Sequence, residues 1–121
     1  MGKILLVEDD PTLSKLYETL LSSEGFEIVK AREIQSALDL LSQEEISLAL
    51  LDVMLVEHNS GIDLLQKMKS NENTKDIPVI ILTNVAKDEE RNRALELGAK
   101  EYLVKAAQKP SEVVGIVKKY I

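Results

Sequence analysis

The sequence predicts an α/β fold, a doubly wound five-stranded parallel sheet with five helices, and three observations carry that expectation. Short apolar runs recur at Ile4 to Val7, Glu27 to Ala31, Leu48 to Leu51, Val79 to Leu82 and Tyr102 to Val104. Each is followed by a longer segment of helical period, so the chain reads as five βα units. A length of 121 residues fits one domain over 1–121 and excludes a closed eight-stranded barrel, which leaves an open sheet with helices on both faces.

The elements can be justified in order. The first, third and fourth runs lack a polar alternate, as strands covered on both faces do, and are expected at the centre of the sheet. Asp10-Pro11 supplies a cap and a proline for the first helix, whose apolar face of Leu13, Leu16, Tyr17, Leu20 and Leu21 ends at Gly25. The same spacing marks Ile34, Ala37, Leu38 and Leu41, then Ile62, Leu65 and Met68, and after Pro110 it marks Val113, Val114, Val117, Tyr120 and Ile121. The fourth helix, from Asp88 to Leu97 and closed by Gly98, has a thin apolar face of Ala94, Leu95 and Leu97 and is expected to be the least firmly held. Asn71 to Asp76 reads as a polar connection.

Composition narrows the chemistry. With 45% apolar and 30% charged residues the chain is globular, and without cysteine it has no disulfide, thiolate or zinc-thiolate chemistry. Its one histidine, His58, lies in a polar stretch and is read as a surface residue. A net charge of −6 argues against direct nucleic-acid binding. No apolar run approaches spanning length and the first is too short for a signal segment, so a cytoplasmic location without membrane contact is expected. Gly2 does not open a myristoylation motif, because Leu6 stands where serine or threonine is needed.

The reactive side chains fall at strand carboxyl ends: Glu8, Asp9 and Asp10 after the first, Asp52 after the third, Thr83 on the fourth and Lys105 after the fifth. In open doubly wound sheets the ligand site lies outside those ends. Converging carboxylates are relieved by a hard cation with oxygen ligands, and Mg²⁺ suits a site with few protein ligands and room for a phosphoryl oxygen. Asp9, Asp52 and the main-chain carbonyl of Met54 would serve as ligands, with Glu8 acting through water. Asp52, facing a cation and the Lys105 ammonium, is then a competent nucleophile toward a phosphoryl group. Plainer roles compete for each residue. Asp10 is read as a helix cap and left out of the site. Asp52, bounded by Leu50, Leu51, Val53, Met54 and Leu55, could instead form a structural ion pair with Lys105. Thr83 alone is an ordinary β-branched strand residue and Lys105 alone a solvated charge, so only the constellation raises them.

Four segments together carry a resemblance: Ile4-Leu5-Leu6-Val7-Glu8-Asp9-Asp10, Leu50-Leu51-Asp52-Val53-Met54-Leu55, Val79-Ile80-Ile81-Leu82-Thr83 and Gly98-Ala99-Lys100-Glu101-Tyr102-Leu103-Val104-Lys105. In that order and spacing they resemble the receiver domains of bacterial two-component response regulators, over essentially the whole chain. The resemblance implies strand order 2-1-3-4-5, as in the CheY-like folds. It implies that Glu8 and Asp9 form the acidic metal pair, and that Asp52 takes a phosphoryl group from a sensor histidine kinase or a phosphotransfer protein. Lys105 would contact that group, Thr83 would turn its hydroxyl toward it, and Tyr102 would move inward. A downstream protein would then read the face formed by the fourth helix, fifth strand and fifth helix. Such a domain works as a monomer or as a phosphorylation-dependent dimer, and catalyses only its own phosphorylation and dephosphorylation.

The sequence departs from that pattern in several places. Ala106 replaces the usual proline after the lysine, so a trans peptide is expected there. Val56-Glu57-His58-Asn59-Ser60-Gly61 reads as one residue longer than usual, and Asn84 stands where a small residue is preferred and would narrow access to Asp52. Met54 and Val85, two residues beyond Asp52 and Thr83, cannot orient water, which predicts slow self-dephosphorylation. These departures keep open a degenerate receiver acting as a scaffold. An aspartate-nucleophile phosphatase lacks support because Val53-Met54 supplies no second acid after Asp52, and a nucleotide or flavin module because the first βα turn is acidic and has no glycine cradle. Ile121 directly follows the last helix, as expected of a stand-alone regulator and equally of a fragment of a longer protein.

Overall fold

A computed structural model describes residues 2–54 and 61–121. Five strands, β1 (Lys3–Val7), β2 (Glu27–Ala31), β3 (Leu48–Leu51), β4 (Val79–Thr83) and β5 (Glu101–Val104), alternate with five helices. The helices are α1 (Pro11–Ser23), α2 (Ile34–Gln43), α3 (Gly61–Lys69), α4 (Asp88–Glu96) and α5 (Pro110–Lys119), and a 3₁₀ turn covers Lys105–Ala107. All strand pairs are parallel, in the order β2-β1-β3-β4-β5.

The three runs without a polar alternate, β1, β3 and β4, occupy the interior of the sheet. Their successive side chains feed opposite layers. Leu5, Val7, Ala49, Leu51, Val79 and Ile81 pack with α2, α3 and α4, while Ile4, Leu6, Leu48, Leu50, Ile80 and Leu82 pack with α1 and α5. A strand between two such layers has no solvent face, so polar residues are excluded from both of its sides. The edge strands β2 and β5 keep Glu27, Lys30 and Glu101 at their margins.

Helix ends follow the expected chemistry. The Asp10 carboxylate accepts from the Thr12 and Leu13 amides at 2.9 and 3.2 Å, which caps α1. Gly25 and Gly98 close α1 and α4 with positive φ values of 95° and 110°. Some stripe residues lie outside the core. Leu16 of α1 and Leu95 of α4 are exposed, because each sits at the solvent margin of its stripe, and Ile121 lies beyond the end of α5. In α4 only Ala94 is buried.

The connection after α3 is tied down despite its polarity. The buried Thr74 hydroxyl donates to the Met68 carbonyl at 2.7 Å, and the Lys69 ammonium donates to the Lys75 and Ile77 carbonyls. The described peptide bonds are all trans, that before Ala106 included. The stretch 55–60, which includes His58 and was expected to form a longer loop, lies outside the described residues. Among the described residues no helix is long and apolar enough to cross a membrane.

Candidate functional site

Parallel pairing brings the chemistry-bearing residues together. Val7 of β1 pairs with Leu51 of β3, and Thr83 of β4 pairs with Val104 of β5, so Glu8, Asp52, Thr83 and Lys105 all emerge at one edge of the sheet. Main-chain bonds extend this order past the strands: the Glu8 amide donates to the Ala31 carbonyl at 3.1 Å and the Asp52 amide to the Val7 carbonyl at 3.0 Å. The two acids are thereby fixed on rigid backbone.

Three carboxylates converge there. One oxygen from each of Glu8, Asp9 and Asp52 lies within 4.8 Å of the others. Glu8 and Asp52 are buried, which is costly for charges without partners. The Lys105 ammonium meets the demand in part, at 2.7 Å from Glu8 Oε1 and 2.7 Å from Asp52 Oδ2. The remaining oxygens are distinguished by their partners. Glu8 Oε2 accepts from the Asp10 amide and Asp52 Oδ1 from the Met54 amide, whereas the Asp9 carboxylate has no hydrogen bond among the described residues. One ammonium against three carboxylates leaves the cluster with a deficit of two positive charges.

Electrostatics differ across the cluster. Burial raises the Glu8 pKa, and the hydrogen bonds from Lys105 and the Asp10 amide only partly oppose this. Burial acts to lower Lys105, but its hydrogen bonds to Asp52 and Glu8 outweigh burial and hold it above the ordinary lysine value. The cluster therefore holds its cation firmly and strains to keep Glu8 ionised.

The donor set fits a hard divalent cation. Among the described residues every candidate ligand is oxygen, and Asp9 offers a carboxylate with no competing partner, while both Glu8 oxygens are already engaged.

Thr83 is fully buried, and its hydroxyl oxygen accepts from the Val85 amide at 3.3 Å. The hydroxyl proton of Thr83 has no acceptor among the described residues. Tyr102 is already buried, at 9% exposure, and donates its hydroxyl to the Val85 carbonyl at 2.6 Å. The Val85 carbonyl is the acceptor that holds the Tyr102 ring in this position. Asn84 is exposed. Asp10 serves as the α1 cap and contributes no side-chain contact to the cluster.

Gly61 adds a residue that sequence reasoning passed over. Its amide donates to the Val53 carbonyl at 2.9 Å, and a Cβ at this position would collide with the main-chain carbonyl of Asp52. The first residue of α3 thus packs directly on the backbone that carries Asp52. A glycine opening a helical stripe after a loop was the available signal.

Comparison with known proteins agrees with this arrangement. The family model for the response regulator receiver domain matches residues 4–118. The transcriptional regulatory protein CpxR of Escherichia coli is 46% identical over 105 residues, covering 87% of this chain and 43% of CpxR. The phosphate regulon transcriptional regulatory protein PhoB of Escherichia coli is 37% identical over 116 residues, covering 96% of this chain and 50% of PhoB. The chain therefore spans half or less of the length of these two relatives. Among solved structures, the non-phosphorylated HemR receiver domain of Leptospira biflexa superposes with a TM-score of 0.90 at 31% identity, covering 99% of this chain and 94% of that one.

Proposed function

Since the chain belongs to the response regulator receiver domains of two-component systems, we propose that residues 1–121 act as one receiver unit that accepts a phosphoryl group on Asp52. The donor is the phosphohistidine of a sensor histidine kinase or of a phosphotransfer protein. The observation that carries this reading is a buried carboxylate held beside an ammonium at 2.7 Å, with two further acids whose charge that ammonium does not balance.

An Asp52 carboxylate oxygen attacks phosphorus, the P–O bond forms, the P–N bond breaks, and the imidazole leaves with the electron pair. Lys105 is placed to balance charge on the transferred oxygens, and Gly61 leaves the Asp52 backbone unhindered. Asp9, Asp52 and the Met54 carbonyl would hold Mg²⁺, with Glu8 acting through water, and when bound the ion supplies positive charge to the phosphoryl oxygens. The hydroxyl proton of Thr83, without an acceptor among the described residues, is available to a phosphoryl oxygen. Val85 links this to Tyr102, because its amide binds Thr83 and its carbonyl binds Tyr102. A shift of Thr83 would therefore move a residue in contact with β5 and alter the α4-β5-α5 face that a downstream protein reads.

The test is incubation with a small phosphoryl donor, with and without Mg²⁺, followed by intact mass. One Mg²⁺-dependent adduct that is lost in Asp52→Asn is expected. An adduct that persists in Asp52→Asn would overturn the assignment.

A further inference from the structure

The chain has no cysteine, and its three methionines stand at positions 1, 54 and 68, so its readily oxidised sulfurs are thioethers. Two of them have opposite surroundings. Met68 of α3 is 1% exposed and packs in the layer shared by α2, α3 and α4, whereas Met54 is 62% exposed. A dissolved oxidant therefore meets the Met54 sulfur and is kept from that of Met68.

The place of Met54 in the fold gives that access a consequence. Its amide donates to Asp52 Oδ1 at 3.0 Å. The Met54 Cα is one bond of about 1.5 Å further on, so it lies no more than about 4.5 Å from the Asp52 carboxylate. A flexible, unbranched side chain that starts there can bring its sulfur over the outer side of Asp52. As a thioether it is a weak acceptor and leaves an attacking water unoriented. As a sulfoxide it is polar and carries an oxygen able to accept a hydrogen bond.

We propose, on the reading of Asp52 as the acceptor, that Met54 is a peroxide-sensitive modification site whose oxidation shortens the lifetime of the phosphoryl group. The thioether sulfur attacks one oxygen of hydrogen peroxide, the S–O bond forms and the O–O bond breaks. Sulfur gives up two electrons; the departing oxygen takes them, gains the proton of the transferred oxygen and leaves as water. The sulfoxide oxygen then accepts a hydrogen bond from the water that attacks phosphorus, while the P–O bond to Asp52 breaks and the carboxylate leaves with the electron pair. The protons of that water pass to the released phosphate and to solvent. Methionine sulfoxide is reduced back to the thioether by sulfoxide reductases, so the change is reversible.

The test treats the chain with hydrogen peroxide, quenches it and phosphorylates it with a small donor and Mg²⁺. Intact mass after donor removal follows the adduct, and tandem mass spectrometry of peptides locates the added oxygen. Oxygen should enter at Met54 well before Met68. The oxidised chain should lose its phosphoryl group about fivefold faster than the untreated one, the worth of one neutral hydrogen bond to the attacking water. Met54→Leu, which keeps Met1 and Met68, should decay at one rate before and after peroxide. Equal oxidation of Met54 and Met68, an unchanged or longer phosphoryl lifetime in the oxidised chain, or the same acceleration in Met54→Leu would overturn the proposal. A chain that takes up no phosphoryl group on Asp52 before any peroxide is added would overturn the reading of Asp52 as the acceptor and this proposal with it.

Discussion

Replacing Lys105 by methionine removes the one cation of the cluster while keeping most of the alkyl stem. The ammonium lies 2.7 Å from both Glu8 and Asp52, and the three side chains are only 10%, 4% and 6% exposed. Breaking a buried ion pair by removing one partner costs about 3–5 kcal/mol. The lower end applies, because Glu8 is already pushed toward its neutral form by burial and can take up a proton when the ammonium is gone. Urea denaturation with a chelator present should therefore show Lys105→Met less stable by about 3 kcal/mol. Mg²⁺ should recover more stability in the variant than in the parent, by up to about 2.7 kcal/mol at a hundredfold excess over its dissociation constant, since the ammonium no longer competes for the same carboxylates. The difference also has a pH signature. Lys105 has a folded pKa above 10.5, so its contribution is complete below 10.5 and disappears as pH rises through that folded value. Glu8, with its folded pKa raised above 4.5, costs stability as pH rises through the window just above 4.5. A variant within about 0.5 kcal/mol of the parent in chelator, with an unchanged response to Mg²⁺, would refute the reasoning.

Other outcomes follow from single contacts. Gly61→Ala sets a methyl group against the Asp52 carbonyl and should destabilise the fold by about 1–3 kcal/mol while lowering phosphoryl uptake, checked by urea denaturation and intact mass. Tyr102→Phe deletes the 2.6 Å bond to the Val85 carbonyl and should cost about 1 kcal/mol in urea denaturation without changing the final yield of adduct on Asp52. Once phosphorylated, the chain should lose its phosphoryl group over minutes or longer, because Met54 and Val85 supply no group to orient water; loss within seconds, followed by mass after donor removal, would contradict this.

The central strands were legible because the runs Ile4 to Val7, Leu48 to Leu51 and Val79 to Leu82 lack polar residues on either face, a pattern that burial between two helical layers imposes. The α1 start was legible because Asp10-Pro11 combines a side-chain acceptor with a residue that needs no amide partner. Leu16 and Leu95 misled because periodicity places a residue on a stripe without saying how wide the neighbouring surface is. The carboxylate cluster could be anticipated from strand ends alone, but the double engagement of Lys105 could not, since its reach across β4 depends on strand order and side-chain path. The Val85 carbonyl that accepts from the Tyr102 hydroxyl is a main-chain group with no signature in the sequence.

The account stands on Asp52 as the acceptor, and the most direct measurement is to map the modified residue. The chain would be phosphorylated with a small donor and Mg²⁺, reduced with borohydride to convert an aspartyl phosphate to homoserine, and digested for tandem mass spectrometry. Homoserine at position 52 and at no other acid is the predicted result. Conversion at Asp9 or Glu8 with Asp52 unmodified would contradict it.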